Sequence, residues 1–211
     1  MTEDGGVRLP RSAHEQHDWV MGRIAPDFRL LDAWAVPAEG GPDDFDEVVG
    51  VLTALDPGGS GSRISRFLFA VRYRLGVLFG WDEDTNTLPI PGCPETSLRD
   101  RLPEELRGTV DPDPLVDPAH PEVGGFVPVY RTDREWAAEL SNHTVHGVLH
   151  LGWVEHAPGR FRAQMGVYVK PRGWLGPAYL ELISPFRHRI VYPALMREIE
   201  RRWTTRPRRT R

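Results

Sequence analysis

The chain has 211 residues, 40% hydrophobic and 27% charged, which suits one domain with a sizeable core and excludes disorder throughout. No run of about 18 residues escapes charge, and the opening Met1–Gly6 is acidic and polar, which argues against a transmembrane helix and a secretory signal. The single cysteine, Cys93, excludes an internal disulfide and an all-cysteine metal cage. A net charge of −4 gives no overall bias toward nucleic acid, so a cytoplasmic globular protein is expected.

The charge is unevenly spread: residues 1–62 hold twelve Asp or Glu against four Arg, and residues 187–211 hold nine Arg against two Glu. Residues 1–22 read as a loose lead-in to a single domain over 23–203, with a basic tail at 204–211. A strand follows across Phe28–Val36, where alternation puts Phe28, Leu30, Trp34 and Val36 on one face with Asp32 among them. Gly40–Asp44 breaks the chain and supplies N-cap candidates for a helix through Phe45, Val48, Val49, Leu52 and Leu55. A second helix is expected from about Ile64 to Gly80, with Phe67, Val71, Leu75 and Leu78 at helical spacing. Prolines dominate 82–125, which reads as a surface excursion or flap holding a short helix near Ser97–Leu106. Three strand-like runs come next: Phe126–Arg131, a long one over Trp136–Val154, and Phe161–Lys170, with Pro158-Gly159 as the hairpin turn between the last two. Trp174–Trp203 closes the chain as a long helical pattern, kinked by Pro185 and Pro193. Strands and helices do not alternate, so the expected class is α+β: a curved antiparallel sheet wrapped around the final helix.

The runs Asn142–Trp153, Lys170-Pro171, Pro185–His188 and Tyr192–Met196 resemble a bacterial domain-of-unknown-function family, number 2867, and Leu9–His14 looks similar too. That family is placed with the helix-grip (SRPBCC) superfamily of START domains, aromatic polyketide cyclases and the birch-pollen allergen. The resemblance implies the same strand, two helices, strands, helix layout and brings no established catalytic residues. Related domains occur behind short-chain-dehydrogenase-like modules. This chain has no glycine-rich dinucleotide motif after a predicted strand, so a partner oxidoreductase would be a separate chain.

His143, His146 and His150 would share a helix face, as zinc ligands do, but Val, Thr and Leu around them favour a strand. There His146 and His150 stand roughly 13 Å apart along one face, too far for one metal, so no metal or other cofactor is expected. Hairpin parity decides which face they take. A two- or four-residue loop places His146, Val148 and His150 with Ala163, Met165 and Val167, whereas a three- or five-residue loop buries Val145, Leu149, Leu151 and Trp153 instead. Asp32 on an apolar face needs a partner: an arginine, or an inward histidine that it orients as general base or polar anchor. Cys93 and the Asp82-Glu83-Asp84 turn carry no pattern of chemistry, and the arginine tail reads as a solvated terminus rather than a nucleic-acid contact.

The leading expectation is a small apolar or aromatic molecule held between sheet and C-terminal helix by Asp32, His146, His150, Met165, Tyr179, Phe186 and Tyr192. The alternatives are a fully packed module that docks on a separate oxidoreductase and, less favoured, a nucleic-acid binder through the C-terminus. Catalysis rests on fold analogy alone.

Overall fold

The computed structural model describes residues 6–54, 95–111, 126–141, 145–173, 177, 180–181 and 183–207. The expected second helix over 64–80, the acidic turn at 82–84, Cys93, His143 and Tyr179 lie outside the described residues.

The chain is α+β. Strands β1 (Val7–Leu9), β2 (Arg29–Gly40), β3 (Val127–Arg131), β4 (Glu135–Ser141), β5 (Val145–Ala157) and β6 (Arg160–Pro171) form one antiparallel sheet in the order β1-β2-β6-β5-β4-β3. Strands β3 to β6 are neighbours in sequence and in space, and β2 lies against the last of them, so the start and end of the sheet's sequence meet at its centre. The run read as one strand over Trp136–Val154 is two, β4 and β5, paired Trp136 to Leu151 and Ala138 to Leu149. A single strand could not do what these residues do. Even-numbered Trp136 and Ala138 share a face with odd-numbered Leu149 and Leu151, and the change of parity requires the chain to turn back.

One face carries Trp34, Val36, Trp136, Leu151, Trp153, Phe161, Ala163 and Met165. They pack against α3 (Phe45–Thr53), through Phe45, Val48, Val49 and Leu52, and against α4 (Tyr192–Thr205), through Tyr192, Met196, Ile199 and Trp203. The buried residues of α4 recur every three or four positions, one stripe of an amphipathic helix. The helical region ahead of α4 changes its hydrogen bonding near both of its prolines while the backbone stays helical from Ser184 into α4. Ile183 ends one turn before Pro185, and Arg187–Val191 is a π-helical stretch before Pro193. Pro193 offers no N–H to the carbonyl four residues back, and the Tyr192 N–H reaches five residues back to Arg187.

The opposite face is covered as well. Residues 6–24 are not a loose lead-in: β1 pairs with β2, and α1 (Arg11–Glu15) and α2 (Val20–Ile24) lie over the sheet. Trp19, Val20, Met21 and Ile24 pack there with Phe28, Leu30, Val129, Tyr130, Val148 and Tyr168. Part of the proline-rich excursion joins them, as two 3-10 turns, Leu98–Arg101 and Glu104–Leu106, that bury Leu98 and Leu102. Gly152 has no side chain because the Trp19 ring occupies its place: a Cβ there would lie 2.5 Å from the ring.

On α4, Met196→Ala removes a fully buried side chain and should lower unfolding free energy by about 2–5 kcal/mol. Arg197→Ala, one residue on and exposed, should stay within about 0.5 kcal/mol. Urea unfolding of both variants tests the assignment of the stripe.

Candidate functional site

Two bulges decide which polar residues meet. The turn between β5 and β6 has a two-residue loop, since Ala157 pairs with Arg160, yet Glu155 pairs with Phe161, so His156 is an extra residue. That bulge reverses the parity a two-residue loop would impose. Leu149, Leu151 and Trp153 pair with Val167, Met165 and Ala163, while His150 pairs with Gly166 and His146 with Lys170. The expectation that a two-residue loop sets the histidines beside Met165 and Val167 is therefore corrected. In β2, Leu30 pairs with Tyr168 and Asp32 with Val167, leaving Leu31 as a second bulge. It separates Phe28 and Leu30, on the α2 face, from Asp32 and Trp34 on the α4 face. A bulge bends its strand and re-aims the side chains beyond it.

On the α4 face, Asp32 is 2% exposed and surrounded by donors. Tyr192 Oη donates at 3.0 Å, and His188 Nε2 lies 2.7 Å from Oδ1. Arg8 at 3.3 Å and Arg187 at 3.4 Å balance the carboxylate charge. Burial first, and then Asp32, push the Tyr192 phenol well above its ordinary value, so it remains a donor. The other ring nitrogen of His188, Nδ1, lies 3.3 Å from Ser184 Oγ. Two buried donors beside this cluster have no hydrogen-bond partner among the described residues: Trp34 Nε1, whose ring lies 5.1 Å from that of Tyr192, and Arg187 Nε. The contrast with other indoles is informative, since Trp19, Trp153 and Trp203 each donate to a backbone carbonyl.

The opposite face holds an extended polar network, in which His146 Nδ1 is buried without a hydrogen-bond partner among the described residues. His14 Nδ1 lies 3.0 Å from Gln164 Oε1, and His14 Nε2 lies 3.0 Å from His150 Nδ1. The other ring nitrogen of His150, Nε2, lies 3.3 Å from Glu135 Oε2. Glu135 also accepts from Tyr130 Oη at 2.8 Å and from the Val20 N–H at 2.9 Å. Burial, and then the neighbouring His150, lower the His14 pKa to about 3, with the Gln164 hydrogen bond opposing. Burial alone would raise Glu135, but its hydrogen bond and charge interaction with His150 hold it below the ordinary carboxylate range. Further along, Glu139 takes His146 Nε2 at 2.8 Å, the Leu98 N–H at 3.0 Å and the Ser97 hydroxyl. Glu95 lies 3.5 Å from His146 Nδ1 and forms ion pairs with Lys170 and Arg172. Glu135 and Glu139 thus pin the two covering segments by accepting backbone N–H groups from each.

Of the residues expected to share a pocket, Asp32, Met165 and Tyr192 do share the α4 face, and Phe186 lies half-buried on the segment that carries His188. His146 and His150 do not join them; both are fully buried on the other side of the sheet. Asp32 does meet a histidine, but it is His188. Sequence reasoning missed His188, Arg187, Ser184 and Trp34 as a group, and also His14, Glu135 and Glu139. Glu135 and Glu139 carry a readable signal: two acids four apart in a strand, on the face that alternates with Trp136 and Ala138. Nothing local announces that residues 184–188 reach Asp32. Among the described residues there is no group of three His, Cys, Asp or Glu placed to hold a metal, and no helix long and apolar enough to cross a membrane.

A family model described as a protein of unknown function, DUF2867, matches residues 24–194. No curated protein and no solved structure matches the chain.

His14 is neutral when folded and takes up a proton on unfolding below its ordinary value of 6.5, so the unfolded state binds more protons and stability rises with pH between about 3 and 6.5. The slope from this one group reaches up to about 1.4 kcal/mol per pH unit. In urea unfolding at stepped pH, His14→Gln should flatten the slope above the ordinary carboxylate value of 4.5, leaving the part due to Glu135 and Glu95 below it. His150→Phe should cost about 1–3 kcal/mol in the same unfolding experiment, because it removes one of the donors to the buried Glu135 carboxylate and the partner of His14 Nε2.

Proposed function

The chain belongs to the DUF2867 family, whose function is unknown, and we propose from its own geometry that it binds a small apolar or aromatic molecule carrying a hydrogen-bond acceptor, between the sheet and the C-terminal helical region. The observation that carries this reading is the pair of unpartnered buried donors, Trp34 Nε1 and Arg187 Nε, beside the Asp32 cluster. A buried donor left without an acceptor costs about 1–3 kcal/mol, which a ligand oxygen would recover.

The neighbouring floor suits an apolar body. Leu149 and Val167 pair across the two central strands on the α4 face, yet both stay only half-buried while the next row, Leu151 and Met165, is fully buried. Central-strand apolar residues on a covered face are ordinarily buried, so their exposure supports a crevice that begins at Asp32 and runs across β6 to β5. Tyr192 and His188, both engaged by Asp32, wall the same end. Such a site is fixed by few polar groups and draws most of its affinity from apolar contact.

An aromatic carboxylate such as 2-naphthoate is a direct probe, read by calorimetry and by native mass spectrometry of the purified chain. Trp34→Phe should weaken its binding by about 1–3 kcal/mol while leaving stability nearly unchanged, because the lost donor has no partner among the described residues. Val167→Trp should abolish binding by filling the floor. A well-folded chain that binds neither 2-naphthoate nor any co-purifying small molecule overturns the reading in favour of a fully packed interaction module.

A further inference from the structure

Ser184, His188 and Asp32 stand in the order of a nucleophile, a base and the group that orients it. Ser184 Oγ is 3.3 Å from His188 Nδ1, and His188 Nε2 is 2.7 Å from Asp32 Oδ1. The buried carboxylate fixes the tautomer: Nε2 carries the proton donated to Asp32, which leaves the Nδ1 lone pair facing the serine hydroxyl. The two ring nitrogens exchange the roles they have in the serine-protease arrangement, but the logic is the same, and such constellations are recognised by geometry rather than by sequence order. A serine-to-imidazole distance of 3.3 Å is within the loose range of a site without substrate. The backbone helps to make the contact. Ser184 and His188 are four residues apart, on either side of the junction between the Ser184–Phe186 turn and the π-helical stretch, which brings both onto the side that meets β2. Asp32 reaches the same point because of the bulge at Leu31.

We propose that Ser184 is the nucleophile of an esterase site in which His188 is the general base and acid and Asp32 is its positioning residue. The substrate class is an ester whose apolar or aromatic part lies on the Leu149–Val167 floor, so the placement of the substrate, though not the triad, rests on the binding reading above. In the first half-reaction Ser184 Oγ bonds to the ester carbonyl carbon and its proton passes to His188 Nδ1. The tetrahedral adduct then breaks its bond to the alkoxy oxygen, which leaves as the alcohol with the proton from Nδ1. In the second half-reaction water gives a proton to Nδ1, its oxygen bonds to the acyl carbon, and the bond to Ser184 Oγ breaks as the proton returns to the serine. The sum is ester plus water to acid plus alcohol. Arg187, three residues on from Ser184 and paired with the same carboxylate, has its Nε–H buried and unpartnered among the described residues and is the donor proposed for the developing oxyanion.

The full chain is treated with a fluorophosphonate probe, with the labelled position found by peptide mass spectrometry and the rate followed with and without 2-naphthoate. The expected result is a single adduct on Ser184, abolished in Ser184→Ala with an unchanged melting temperature, and slowed at least about 100-fold in His188→Gln. Asp32→Asn should slow it too, but that residue is buried and multiply paired, so Ser184→Ala and His188→Gln, checked by circular dichroism, carry the test. Labelling that 2-naphthoate does not slow upholds the triad while removing the crevice as the place of the substrate. Binding of 2-naphthoate by a cooperatively melting chain that forms no Ser184 adduct overturns the triad and leaves the binding site standing. An adduct that forms equally fast in folded His188→Gln overturns it as well, since the histidine then activates nothing.

Discussion

The arrangement of this protein depends on two single-residue bulges, at Leu31 and His156, in strands that flank and form the centre of the sheet. Side chains on a strand alternate strictly, so one extra residue moves everything beyond it to the other face. At Leu31 the shift delivers Asp32 to the face of the C-terminal helix, where Tyr192, His188 and Arg187 converge on it. At His156 it delivers His146 and His150 to the opposite face and frees Leu149, Leu151 and Trp153 for the apolar side. Without either bulge the acid and the histidines would be dealt to the faces differently.

The two faces solve the problem of buried polarity in different ways. On the α2 face, polar groups close on one another from Gln164 through His14 and His150 to Glu135 and Tyr130, and from His146 through Glu139 to Ser97 and the Leu98 amide. Such a network fixes where the covering segments sit, and it leaves His146 Nδ1 buried without a hydrogen-bond partner among the described residues. Gly166 belongs to this design, since a Cβ there would lie 2.6 Å from His14 Nε2. On the α4 face the Asp32 cluster is satisfied at its centre but leaves the Trp34 and Arg187 donors without partners among the described residues. What sets the α4 face apart is that its unpartnered donors accompany the half-buried Leu149–Val167 row, which leads from Asp32 across β6 to β5.

The sequence by itself determined the class of fold. Alternation in Phe161–Lys170, the Pro158-Gly159 turn and the C-terminal helical pattern, whose Met196 and Ile199 lie on the buried stripe, are local or periodic signals, and each corresponds to an element of the structure. What only the tertiary structure decided was the partnering. A bulge is one residue in a strand whose composition looks the same with or without it, so the parity that places His150 or Asp32 has no local signature. The meeting of Asp32 with Ser184 and His188 spans more than 150 residues of chain and depends on strand pairing, on helix docking and on where the helical hydrogen bonding changes near Pro185 and Pro193. The docking of residues 6–24, through buried His14, Trp19, Val20, Met21 and Ile24, has no local signal for a related reason. Its polar, weakly periodic sequence reads as a free end, and it becomes a layer only because Glu135 supplies an acceptor for its backbone and the glycines at 152 and 166 leave room for Trp19 and His14.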